Sequence, residues 1–187
     1  MTTTTVATGL TAYTGTWQID PSHTRMGFTA RHAMVTKVRG AFDVVEGTFV
    51  LDGADPSSSS AQVTIQAESF DTGVEDRDAH VRSAEFLDVA NHPTLRFAST
   101  AVRQQGEGFV VTGDLTIRGV TRSIDIDVEP LGVSVDPFGN TRAGFEGTSS
   151  LSRKDFGLTW NVALEAGGVL VSDKIAISLD VSAIRAS

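Results

Sequence analysis

The feature that most constrains this chain is a two-residue hydrophobic alternation that recurs along most of its length. Ile175, Ile177, Leu179 and Val181 alternate with Ala176, Ser178, Asp180 and Ser182. Ile124, Ile126 and Val128 alternate with Asp125, Asp127 and Glu129, and Val63, Ile65 and Ala67 with Thr64, Gln66 and Glu68. Phe109, Val111, Leu115 and Ile117 share one parity, with Gly113 between them. Leu95 with Phe97, and Phe145 with Leu151, fit further strands. Successive side chains of a strand point to opposite faces, so the pattern demands strands with one apolar and one wet face.

Two strands change parity midway. The set at Phe42 and Val44 gives way to Val45, Gly47, Phe49 and Leu51, and the Ile124 set gives way after Pro130 to Leu131, Val133 and Val135. A one-residue slip would turn every side chain to the wrong face, so each change predicts a bulge or a strong bend, as where long strands curl into a barrel. Turn signals stand between strands at Asp52-Gly53-Ala54-Asp55-Pro56, Gln105-Gly106-Glu107-Gly108 and Asp136-Pro137-Phe138-Gly139-Asn140. Roughly eight strands in this order predict a sandwich or an antiparallel barrel. One segment breaks the alternation. In residues 73–92, Val81, Ala84 and Leu87 recur at helical spacing and Pro93 follows, so one or two short helices are expected.

At 187 residues the chain fits one domain with a substantial core, over residues 13–187, behind a polar tail at 1–12 expected to be mobile. The absence of cysteine excludes disulfides, thiolate metal sites and a cysteine nucleophile. The net charge of -8 argues against nucleic acid as a partner and disfavours docking on anionic membranes. No apolar run is long enough for a transmembrane helix. The N-terminus has neither a basic n-region nor an apolar h-region, so a cytoplasmic location is expected.

No nucleophile elbow, P-loop or dinucleotide fingerprint is present. The four histidines show no metal-ligand spacing. Asp76 and His80, four apart with Glu75 and Asp78 nearby, fit capping and ion pairing better than a metal site. No cofactor, no metal and no catalytic residue is expected. The row Asp125, Asp127 and Glu129 reads as a solvated strand face.

Several segments, in order, resemble the YceI-like family of lipocalin-like polyisoprenoid-binding proteins. They are Trp17-Gln18-Ile19-Asp20-Pro21-Ser22-His23-Thr24, then Phe28 and His32, Gly40-Ala41-Phe42, and the block from Glu75 to Asp88. His92-Pro93-Thr94-Leu95-Arg96-Phe97, Gly113 to Thr121, Ser152-Arg153-Lys154-Asp155-Phe156-Gly157-Leu158 and the closing strand from Lys174 complete the set. The resemblance implies an all-β fold, an extended eight-stranded antiparallel lipocalin-like barrel with a short helical insertion. It also implies a homodimer and an interior that holds a polyisoprenoid, an isoprenoid quinone or a similar lipid without chemical turnover. Many relatives carry a secretion signal, which this N-terminus lacks.

On that reading the lining comes from Met26, Phe28, His32, Phe42, Phe97, Phe109, Leu115, Phe145 and Trp160. His32 shares parity with Met26 and Phe28 and is expected to face inward. Gly113 and Gly147 are expected to leave room for the ligand. Arg77, His80 and Arg82 are the headgroup candidates, Arg77 and Arg82 as anion grips and otherwise as ties between insertion and barrel. Two alternatives stay open: an enzyme acting on a lipid or quinone-like substrate, and a ligand-free dimeric module whose interior is filled with side chains.

Overall fold

The alternating segments pair into one antiparallel sheet that closes on itself. The structure, a computed structural model, describes residues 9–187. In chain order the strands are β1 (Gly15–Ile19), β2 (Arg25–His32), β3 (Thr36–Phe42), β4 (Val45–Leu51), β5 (Ser60–Gln66) and β6 (Phe70–Asp71). Long strands follow: β7 (Thr94–Gln105), β8 (Gly108–Ile117), β9 (Val120–Val135), β10 (Thr141–Ser152) and β11 (Lys174–Arg185). Among the described residues there is one α-helix, α1 (Glu75–Arg82), between β6 and β7.

These segments fill eight barrel positions, because three positions are each shared by two short strands laid end to end. β1 and β2 both pair with β11, through Ile19 opposite Ala183 and Arg25 opposite Asp180. β3 and β4 pair with β2 and β1 in turn, and β5 and β6 with β4 and β3. The sheet then runs β5-β7-β8-β9-β10-β11, and the β1–β11 pairing closes the ring. Closure removes the exposed edges that an open sheet must protect.

Both parity changes have a structural cause. The first falls at Asp43-Val44, where the chain breaks between β3 and β4. The second is a bulge: Gly144 faces Gly132 while Phe145 faces Pro130, so Leu131 is the extra residue and is half exposed. The β7–β8 hairpin turns through Gly106, whose φ of +62° suits a residue without a Cβ.

The helical expectation is met for half its length. α1 ends at Arg82, and turns carry the chain from there to Pro93, with the Leu87 amide donating to the Val81 carbonyl at 2.9 Å. α1 buries Asp78, which accepts from the Thr72 amide at 3.0 Å and from its hydroxyl. Burial pushes this carboxyl up, but the Thr72 bonds, with Asp71 and the Arg82 charge, together outweigh it and hold the group below its ordinary range.

The two barrel ends close differently. At the first, Leu10–Tyr13 forms a 3-10 turn over the rim. Trp17 is fully buried beneath it and donates from Nε1 to the Tyr13 carbonyl at 2.7 Å, while Arg185 lies 4.6 Å over the indole. Of the expected tail at 1–12, Leu10 to Ala12 belong to this cap, and residues 1–8 lie outside the described residues. At the second end, α1 with its following turns and the loop 157–173 cover the rim.

Near the first end, Arg142 joins two carboxylates, donating to Asp20 and Asp136 at 2.6 Å each. The guanidinium, then the His23 ring and Ser22 amide, hold Asp20 at about 2. The Asn140 side chain, followed by Arg142, holds Asp136 lower still. Groups with depressed values stabilise the fold fully above the ordinary carboxylate pKa of 3.8, and the contribution is lost as pH falls towards 2. Arg142→Met is expected to lower Tm by roughly 2–5 °C at pH 7, with the gap to the parent shrinking between pH 4 and 2 in a thermal-melt series.

Candidate functional site

Inward-facing side chains of a filled barrel should pack against one another and leave no free surface. Here free surface remains. Along β11 the lumen-side residues Ile175, Ile177 and Leu179 are only half-buried, although the barrel around them is closed. Their accessible surface is the wall of an internal space. Phe28, Phe42 and Phe97 show the same half-burial on other strands.

That space consists of three apolar chambers along the barrel axis. The main chamber, about 260 Å³, sits at the α1 end. A middle chamber of about 130 Å³ and a third of about 100 Å³ beneath the Leu10–Tyr13 cap continue it. Met26, Val63, Phe97, Ile126 and Leu179 line both the main and middle chambers. Leu51, Ala61, Val111, Val128 and Phe145 line both the middle chamber and the third. Neighbouring chambers thus share walls from end to end, which gives an elongated interior instead of one round pocket.

The main wall is aromatic on one side. Phe28 stacks on Phe70 at 5.0 Å between ring centroids, and Phe42 meets both, at 5.9 and 5.6 Å. Gly113 lies on the inward face as expected, but its space is already used. A Cβ there would collide with Cζ and Cε2 of the Phe97 ring. Gly147 does open on the middle chamber, where a Cβ would sit 3.1 Å from a Leu179 methyl. The phenylalanines therefore pack on one another and on glycine, and still present their outer faces to the lumen.

Of the sequence-predicted lining, Met26, Phe28, Phe42, Phe97 and Leu115 meet around the main chamber. Phe145 lies between the middle and third chambers, and Phe109 borders the third. Two expected positions do not line the lumen. His32 is exposed, because β2 ends there and its backbone pairs with Val171 outside the barrel proper. Trp160 packs edge-on to His80 at 4.6 Å and beside Phe86, and does not itself border the chamber.

The headgroup candidates are engaged in holding the insertion. Arg77 donates from Nε to the Thr72 hydroxyl at 2.7 Å, and Arg82 from Nη2 to the Phe70 carbonyl at 2.6 Å. His80 pairs with Glu85 at 2.5 Å. The two arginine bonds are the ties between insertion and barrel that the sequence offered as their alternative use, whereas the His80–Glu85 pair lies within the insertion. Asp76 is exposed, and among the described residues no group of three potential metal ligands converges.

Arg153 was not singled out by sequence reasoning as a site residue. It is buried and, among the described residues, is the only ionisable side chain bordering the main chamber. Nε donates to Ser172, Nη1 to Leu158 and Trp160, and Nη2 to Val171, all backbone carbonyls, at 2.6–3.2 Å. Burial lowers its pKa, and Asp173 partly offsets this. Four of its five N–H donors are thus engaged, and one Nη2 hydrogen remains beside an otherwise apolar wall. Its one cue in the sequence is position, directly after the last residue of β10 within Ser152-Arg153-Lys154-Asp155-Phe156-Gly157, which does not by itself reveal its partners.

Comparison with known proteins adds independent support for this architecture. A family model described as a YceI-like domain matches residues 17–183. A UPF0312 protein of Pectobacterium atrosepticum is 40% identical over 137 residues, covering 73% of this chain and 71% of the relative. The crystal structure of Burkholderia cenocepacia BcnA superposes with a TM-score of 0.74 at 24% identity, over 88% of this chain and 98% of that one. A polyisoprenoid binding domain from Saccharophagus degradans superposes with a TM-score of 0.67 at 16% identity, over 91% and 98%. The last two likenesses are likenesses of fold.

Proposed function

We propose a function from one premise: this chain belongs to the YceI-like domain family. It binds one elongated apolar lipid, an isoprenoid chain or isoprenoid quinone, inside the barrel, and acts as a carrier or store without chemical turnover. The observation that carries this reading is the half-burial of inward residues in a closed barrel, with three contiguous apolar chambers behind it. A polyprenyl chain has methyl-branched units and no hydrogen-bonding groups, so a dry aromatic and aliphatic wall suits it. Burial of its surface contributes about 25 cal/mol per Å² before association costs. The Saccharophagus domain of like fold, described as polyisoprenoid binding, supports the same class of ligand.

The polar end of such a ligand has one ionisable neighbour on the main wall, Arg153, whose remaining Nη2 hydrogen can meet a carbonyl or phosphate oxygen. The test is occupancy. Protein purified without detergent is extracted into organic solvent, and the extract is analysed by mass spectrometry. Near-stoichiometric prenyl lipid, or saturable uptake of added prenyl alcohol, is the expected result. Absence of both supports a ligand-free module. Chemical conversion of the bound lipid supports an enzyme.

A further inference from the structure

The net charge of -8 conceals one segment of opposite character. Between Asp20 and Asp43 the chain contains no Asp or Glu, but it contains Arg25, Arg31, Lys37 and Arg39. The β2–β3 hairpin places Arg31 directly opposite Lys37, and Arg39 opposite Thr29. These positions alternate with Phe28, Ala30 and Val38, so all three cations stand on the outer face. All are exposed. Among the described residues, no carboxylate lies within ion-pairing distance of any of them. Like charges directly across a strand pair destabilise it, and nothing within the fold offsets that here.

The hairpin tip is apolar and turned outward. Ala33 and Met34 take left-handed backbone angles, φ 50° and 65°, which side chains with a Cβ adopt at a cost. Met34 and Val35 are 57% and 75% exposed. The adjoining loop adds exposed Val162 and Val169, and Met34 packs beside Gly168. That loop carries two carboxylates, Glu165 and Asp173, and Asp173 is engaged by the Ser152 hydroxyl and the Lys154 amide. This end of the barrel is also the main chamber's end. Ala30 and Val171 line the chamber, and the Ala33 amide donates to Leu170 at 2.7 Å.

We propose that the β2–β3 hairpin docks this protein onto an anionic lipid bilayer, with Met34 and Val35 entering the interface and Arg31, Lys37 and Arg39 meeting lipid phosphates. Charge complementarity selects this partner: three unpaired cations flank an apolar tip on a molecule whose remaining surface is repelled by the same bilayer. Docking in this orientation holds the chamber's end against the membrane. Ligand exchange there rests on the lipid-binding reading above, whereas docking itself does not.

The test is flotation with phosphatidylcholine vesicles, with and without phosphatidylglycerol, at low salt. The parent should float with the anionic vesicles, and high salt should release it. Each cation near such a surface is worth roughly a fivefold change in partitioning. Lys37→Glu/Arg39→Glu should therefore reduce binding more than tenfold, while Arg103→Glu on β7 should leave it unchanged. Met34→Ser/Val35→Ser should weaken binding at unchanged net charge. The charge-reversal pair removes the Arg31–Lys37 repulsion, so loss of fold is not the expected outcome, and circular dichroism checks it.

Failure to bind anionic vesicles, or equal loss with Arg103→Glu, overturns the proposal and leaves the patch for a protein partner or a second copy. Uptake of prenyl alcohol from a soluble cyclodextrin donor should be the same in parent and Lys37→Glu/Arg39→Glu. If the parent takes up none but still floats, the lipid-binding reading fails and docking stands.

Discussion

Phe97→Ala should destabilise the ligand-free protein by about 3 kcal/mol and yet let a bound prenyl lipid recover much of that loss. The Phe97 ring packs against Gly113 and forms part of the wall between the main and middle chambers. Truncation removes its packing on the glycine and enlarges an interior that is already hollow. The cost should fall at the low end for a buried phenylalanine, because one face of the ring already looks onto the lumen. A ligand at a hundred times its Kd adds about 2.7 kcal/mol to the folded state of any binding protein. In the variant, the joined chambers offer a long chain a wider passage, so its Tm shift on ligand addition should exceed the parent's. Differential scanning fluorimetry with and without a prenyl alcohol measures both effects. A variant that loses stability and gains no larger ligand shift would show that Phe97 is filled-core packing and not a lumen wall.

Arg153→Met should be the most damaging single change outside the aromatic wall, at about 3 kcal/mol or more. The guanidinium supplies charge-assisted bonds to the carbonyls of Leu158, Trp160, Val171 and Ser172, and so ties the loop 157–173 across the end of the barrel. Methionine matches the length and the apolar wall but leaves those acceptors without a donor. Arg153→Lys should rescue little, because an ammonium cannot reach carbonyls arranged around a planar fork. Limited proteolysis should nick the variant within 159–170 while the strands stay protected. Hydrogen exchange should rise in the same loop. An unchanged cleavage pattern with unchanged Tm would remove Arg153 from this role.

The architecture was legible because alternation survives wherever one face of a strand meets water. β8, β9 and β11 run through their expected positions, and both parity changes landed at real interruptions, Asp43-Val44 and Leu131. The lumen was partly legible for the same reason: Phe28, Phe42, Phe97 and Phe145 face inward by parity alone. His32 shows the limit of that rule. Parity holds only while the strand lies within the barrel, and β2 leaves it at His32. Trp160 and Arg153 show a second limit. Their surroundings are set by a loop with no period, so no spacing in the sequence reveals that one packs on His80 and the other is buried on four carbonyls. Net charge shows a third limit, because a sum over the chain does not display the acid-free run between Asp20 and Asp43.

The central claim is that the closed barrel holds one elongated apolar molecule along its axis. Native mass spectrometry after incubation with a long prenyl alcohol delivered from cyclodextrin tests it most directly, when the alcohol carries a photoreactive group at its tail. One ligand per chain is expected, with cross-links on lumen residues of the main and middle chambers such as Phe97, Ile126 and Leu179. A folded protein that takes up no ligand at saturation, or cross-links only to outward-facing residues such as Asp125 and Asp127, would contradict it.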